Sequence, residues 1–251
     1  MKLTFDHRQH EVGEVYSYFF TSEKLLSWQA GQYINITLSG IPPSGAERLF
    51  TIASAPHEEY IQITTLDGPS EFKQKLKRLT RGDSVEADQL GGDFTLESVR
   101  QTVLSATEPK RGLSAANETL GISVKALFLA GGIGITPFRS IIADSQHKKQ
   151  PLNSVLIYAG KSDHRPFVDE LNTAELADKT LQIIDHSNTR VTVDELKSDV
   201  LDLGERVIYI AGSQSFVEGL GDGLMASGIS RPRIKYDWFE GYDDKISTNN
   251  V

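Results

Sequence analysis

The 251-residue chain contains no cysteine. That absence excludes a disulfide scaffold, a thiolate zinc site, a nucleophilic cysteine and an iron–sulfur cluster held by the chain itself. Any redox chemistry must therefore come from a non-covalently held organic cofactor, or from His and carboxylate ligands. Histidine is scarce too: of the six, His7, His10, His57, His147, His164 and His186, only the first two are close in sequence, and no H-E-x-x-H spacing occurs. No metal site is expected. Positive charge is short, with 26 Lys and Arg against 34 Asp and Glu for a net charge of −8. A general binder of phosphate backbones is thereby excluded, and with it a nucleic-acid partner. Long apolar runs are missing as well: the longest, Ala126 to Ile135, is about half the ~20 residues of a membrane span. Met1 to Arg8 is interrupted by charge where a signal peptide needs an apolar run. The expectation is a cytoplasmic protein without a membrane span.

What is present falls into two halves. Over residues 1–97 the pattern has period two, in short runs rich in β-branched and aromatic residues separated by Gly, Pro, Asn and Asp. The runs are Leu3 with Phe5, then Val12–Phe20, Tyr33–Leu38, Leu49–Ala53, Tyr60–Thr65 and Ser84–Ala87. Antiparallel strands closing a small six-stranded barrel are predicted. A helix over Glu71–Leu79 interrupts them, with Phe72, Leu76 and Leu79 on one face and basic residues from Lys73 to Arg81 between and beyond. That basic stretch reads either as a solvated helix face or as a docking surface for an acidic partner.

From residue 124 to 251 strand and helix alternate. The strands are Lys125–Ala130, Ser154–Ala159, Leu181–His186, Arg206–Ala211 and Arg233–Phe239, and the helices Pro137–Gln146, Pro166–Ala177, Val193–Val200 and Ser215–Met225. Near-continuous apolar strands between helices predict a parallel sheet covered on both faces. The polar stretch 98–123 between the halves reads as a linker or surface insertion.

The turn Gly131-Gly132-Ile133-Gly134-Ile135-Thr136-Pro137 follows an apolar strand and opens a helix, with Thr136 placed to cap it and Pro137 in the first turn. Glycines let backbone approach a ligand, and a helix N-terminus offers unpaired N–H groups to a phosphate. A tight turn with no ligand is the other reading. The pattern departs from G-x-G-x-x-G because Pro137 stands where the third glycine belongs. Ligands of open parallel sheets lie beyond the carboxyl ends of strands. There the chain places Lys161 and Ser162, then Asn188 to Arg190, then Gly212 to Gln214.

In Arg48-Leu49-Phe50-Thr51, alternation puts Arg48 and Phe50 on one strand face and Thr51 on the other. An Arg fork suits a phosphate and a ring stacks on a planar heterocycle, although a surface Arg beside a core Phe looks the same. For Thr51 to touch the same ligand, the strand must twist or end there. Ser70 precedes the basic helix and can hold a second phosphate, with Lys73 one turn in.

Taken in order, these residues resemble the ferredoxin–NADP(+) reductase superfamily, in particular its small bacterial FAD-dependent members. The matching elements are Trp28 to Tyr33, Arg48 to Ser54, Ser70 to Lys73, Gly92 to Phe94, Gly131 to Pro137, Ala211 to Ser213 and Asp237 to Tyr242, running the length of the chain. The resemblance implies a flavin-binding barrel over residues 1–97 and an NAD(P)-binding α/β domain over 124–251, the two meeting in a cleft. It implies FAD rather than FMN as cofactor, and NADPH or NADH as substrate. In this reading Arg48 and Ser70 hold the flavin phosphates, Leu49 belongs to the same cofactor-binding strand, Phe50 packs on the flavin ring, and Thr51 lies near its reacting nitrogen. Phe239 or Tyr242 covers the other ring face. Gly131, Gly132, Gly134, Thr136 and Gly212 hold the dinucleotide, and Lys161 and Arg190 meet its adenosine ribose or 2′-phosphate.

This chain has Ala211-Gly212-Ser213 where many relatives have Cys-Gly-Pro, and Lys161 where arginine is common. Hydride positioning must then rest on packing, and the choice between NADPH and NADH stays open because Lys is a point charge without a fork. The function expected is electron transfer from NAD(P)H through FAD to an external carrier of ferredoxin or flavodoxin type. The alternatives are reduction of free flavin or quinone, or a flavin-binding subunit without activity of its own.

Overall fold

The computed structural model describes residues 1–24, 26–98 and 125–239. Within them, β1 (Lys2–Val12), β2 (Val15–Ser22), β3 (Tyr33–Thr37), β4 (Glu47–Thr51), β5 (Ile61–Leu66) and β6 (Ser84–Gly91) form one antiparallel sheet in the order β4-β3-β6-β1-β2-β5. An Ile52–Ile63 bridge joins its two ends, which closes the predicted six-stranded barrel. Period-two patterning aims Leu3, Phe5, Phe20, Ile34, Ile36 and Ile63 inward, and Phe72 and Leu76 of α1 (Glu71–Lys77) complete the same core. One boundary differs from expectation. Val12 ends β1 instead of opening β2, because Asp6 to His10 extend past the core, lie mostly exposed and lose their alternation.

The second sheet is parallel, with β7 (Ala126–Gly131), β8 (Ser154–Gly160), β9 (Leu181–Ser187), β10 (Val207–Ser213) and β11 (Ile234–Phe239) in the order β11-β10-β7-β8-β9. Its helices are α2 (Thr136–His147), α3 (Val168–Ala177), α4 (Val193–Asp199) and α5 (Gln214–Ala226). Both faces are covered: Ala126, Phe128 and Ala130 pack toward Phe138 and Leu171, while Leu127 and Leu129 pack toward Leu196 and Val217. The helix after β8 starts at Val168, not Pro166, because Phe167 takes a left-handed conformation at φ 68°. Strand order reverses at β7, whose neighbours are β8 on one side and β10 on the other. A crevice beyond the carboxyl ends of β7 and β10 is the place such a sheet offers a ligand.

Phe94, just after the barrel, joins the two halves by packing its ring edge-on to Tyr209 at 5.0 Å, while Tyr209 donates to Thr95 O at 3.0 Å. The expected insertion over 98–123 lies, past Ser98, outside the described residues.

Candidate functional site

The glycine turn is tighter than its sequence suggests. Gly132–Ile135 already form a 3-10 turn, so Thr136 is the first residue inside α2 (φ −56°, ψ −47°) and not its cap. Its Oγ1 donates to Ile133 O at 3.2 Å. A Cβ on Gly134 would come within 2.1 Å of Ala211 O, so this glycine exists because the turn is pressed against the end of β10. Gly131 and Gly212 make room for the Phe216 ring, which a Cβ at either would meet at 3.0 Å. Gly132 adopts a left-handed backbone at φ +54°, and a Cβ there would have only His164 O nearby, at 3.5 Å.

In front of this turn lies a cavity of about 550 Å³ between the barrel edge and β11. Its walls are ring-rich, with Tyr33, Phe50 and Phe72 from the barrel side and Tyr236, Trp238 and Phe239 from β11. Arg48, Leu49, Phe50 and Thr51 all line it, because β4 is the edge strand and ends there. The expected separation of Thr51 from Phe50 onto opposite faces therefore does not keep Thr51 away. Phe50 and Phe72 rings lie 5.9 Å apart, and the Arg48 guanidinium sits 5.7 Å from the Phe72 ring. Lys73, Ile133 and Thr136 complete the rim.

Thr51 Oγ1 donates to Asp237 Oδ2 at 2.9 Å across the cleft. Burial pushes the Asp237 carboxyl up to about 6, against the opposing pull of the Thr51 hydrogen bond. A carboxyl so poised exchanges protons near neutral pH. In the sequence the only signal for Asp237 is a lone acid in the run Ile234-Lys-Tyr-Asp-Trp-Phe239.

Other predicted residues are not in this cavity wall. Ser70 caps α1, its Oγ accepting from Lys73 N at 3.4 Å, and lies outside the wall. Lys161 and Arg190 are exposed beyond the carboxyl ends of β8 and β9. There Asn188 ties the two ends together, accepting from Ser162 N at 3.2 Å and donating to Ser162 Oγ at 2.8 Å. Tyr242 lies outside the described residues. Much of the basic stretch is engaged within the chain: Lys75 with Ser39 O, Lys77 with Asp67, and Arg81 with Asp6 at 2.8 Å. Among the described residues no group of His, Asp and Glu could hold a metal, and no helix is long and apolar enough to cross a membrane.

Ring walls, hydroxyls at Thr51, Thr64 and Thr65, and the cations Arg48 and Lys73 on the barrel side fit a planar heterocycle carrying phosphate. The cleft lies between an antiparallel barrel and a five-stranded parallel sheet. Residues 128–221 match the oxidoreductase NAD-binding domain family. The chain is 24% identical over 247 residues to flavohemoprotein A of Dictyostelium discoideum, covering 93% of this chain and 59% of that protein. With the flavohemoprotein of Bacillus subtilis it shares 23% identity, over 92% of this chain and 57% of the relative. The chain thus spans under two thirds of these relatives' length. Its fold matches the FAD/NAD-binding domain of nitric oxide dioxygenase from Vibrio cholerae with a TM-score of 0.72 at 19% identity, covering 95% of this chain and 98% of that one. It also matches ferredoxin-NADP+ reductase from Plasmodium falciparum with a TM-score of 0.74 at 16% identity, covering 95% of each chain.

Proposed function

We propose that this chain is an FAD-dependent reductase that takes electrons from NADPH or NADH and passes them to an external acceptor of ferredoxin or flavodoxin type. The observation that carries the reading is the ring-walled cleft placed against the glycine turn, with Thr51 and Asp237 meeting across it. Bound FAD would supply the two-electron to one-electron chemistry that no side chain of this cysteine-free chain provides. Arg48 and Lys73 bind phosphate oxygens, while Phe50 and Phe239 cover the ring faces and exclude water. Gly132 and the start of α2 receive the pyrophosphate of the dinucleotide, and Lys161 and Arg190 its adenosine end. Asp237 Oδ2 accepts the Thr51 hydroxyl, which keeps both side chains oriented beside the ring. The names of the two flavohemoprotein relatives favour a second acceptor, a haem group.

The test starts with the absorbance spectrum of the purified protein after incubation with FAD, followed by anaerobic mixing with NADPH and with NADH. A yellow protein bleached by either nucleotide supports the proposal. A protein that stays colourless overturns it. Turnover with ferredoxin, flavodoxin, a haem protein, free flavin and quinone then ranks the acceptors, and activity with free flavin or quinone alone would replace the carrier reading.

A further inference from the structure

We infer that Arg139 is a positioning residue that sets the register between the two halves of the cleft; this rests on the reductase reading above. Arg139 lies on α2, one turn after Thr136 at the cleft rim, yet it reaches the barrel. Its Nη1 donates to Ala53 O at 3.1 Å, its Nη2 to Glu58 Oε1 at 2.8 Å, and its Nη2 lies 2.9 Å from Glu170 Oε1 on α3. The neighbouring Ser140 Oγ donates to Ser54 O at 2.7 Å. Two consecutive α2 residues thus hold two consecutive barrel carbonyls, and those carbonyls directly follow Ile52 at the end of the strand that presents Thr51.

The consequence for the cleft is geometric. The turn that would receive the nucleotide and the strand that would face the flavin are held on one short rigid path, from Thr136 through Arg139 and Ala53 to Thr51. Arg139 is 9% exposed, and its side chain spends its fork on carboxylates from both halves. Burial works against the guanidinium charge, but Glu58 and Glu170 outweigh it and hold its pKa above the ordinary value. Buried ion networks add little net stability over apolar packing of the same volume. Stability is therefore a poor account of a charge placed at this seam. A fork fixed in direction by three acceptors specifies orientation, and hydride transfer is sensitive to orientation: a misplacement of ~1 Å costs on the order of a hundredfold in rate.

The experiment compares wild type with Arg139→Leu, Arg139→Lys and Glu170→Gln. In flavin-loaded protein, Arg139→Leu slows anaerobic flavin reduction at saturating nucleotide by about ten- to hundredfold, while flavin retention and nucleotide Kd stay within about threefold. Arg139→Lys recovers part of the rate, since it keeps the charge and loses the fork. In cofactor-free protein, the Ala53 and Ala55 amides of Arg139→Leu exchange hydrogen faster, while those of β7 and β10 do not. An unchanged reduction rate overturns the inference. So does a rate loss matched by equal losses of flavin and nucleotide binding, which marks a merely structural role. Should Arg139→Leu not fold, Arg139→Lys and Glu170→Gln decide by the same measurements. Failure of wild type to be reduced by either nucleotide would instead overturn the reductase reading, and amide exchange would still report on the seam.

Discussion

Thr51 and Asp237 stand 186 residues apart in sequence, one on the barrel edge and one on the last strand of the parallel sheet, and their side chains meet at 2.9 Å. The contact closes the cleft on its inner side and places a carboxyl of raised pKa at the junction of the two halves.

Asp237 is held at about 6 in the fold against an ordinary 3.8, so its charged form is disfavoured in the folded state. The resulting penalty on stability is absent below about pH 3.8, grows through the window, and is complete above about 6. Asp237→Asn keeps an acceptor for Thr51 and removes the charge, so it should stabilise the cofactor-free protein at pH 7 by on the order of 2 kcal/mol. Urea unfolding at pH 7.5 and at pH 4 checks this, and the gain should vanish at the lower pH.

Gly134→Ala should destabilise strongly, by about 2–4 kcal/mol, because the new methyl would overlap Ala211 O and force the turn off the end of β10. Gly204→Ala is the control, since nothing lies within 4 Å of the added atom. Chemical denaturation of the two variants should differ sharply, and equal midpoints would contradict the packing account of the turn.

His57 and His147 stack across the seam with ring centroids 3.8 Å apart. Burial and then the neighbouring His147 lower the His57 pKa, opposed by Glu58 and Asp144. The folded state therefore favours neutral His57, and the associated stability, present above about 6.5, is lost as pH falls below that value. His147→Gln should flatten the dependence of the unfolding midpoint on pH between 7 and 5, measured against wild type.

Lys161 and Arg190 are exposed at the carboxyl end of the sheet, on the side where Asn188 joins β8 to β9. If NADPH is the preferred donor, replacing either with Ala should raise KM for NADPH far more than for NADH, by about 1–3 kcal/mol of lost phosphate contact. An unchanged ratio of the two KM values in both variants would remove these residues from the adenosine site.

Much of the molecule was legible in the residues alone, because its signals are short in range. Period-two runs specify the barrel strands, apolar strands alternating with helices specify the parallel sheet, and the Gly131 to Pro137 turn marks the first strand end. Arg48 to Thr51 likewise reads as a strand, which the structure places at the barrel edge. What the tertiary structure decided are relations between distant residues: Asp237 facing Thr51, Arg139 joined to Ala53 and Glu58, and Phe216 filling the space left by Gly131 and Gly212. It also decided that Thr136 lies inside its helix and that β1 runs on to Val12, since a 3-10 turn and an exposed strand end leave no periodic trace. Local patterns reflect which face of an element is buried. Which face meets which, and with what charge, is settled only when the two sheets close on one another.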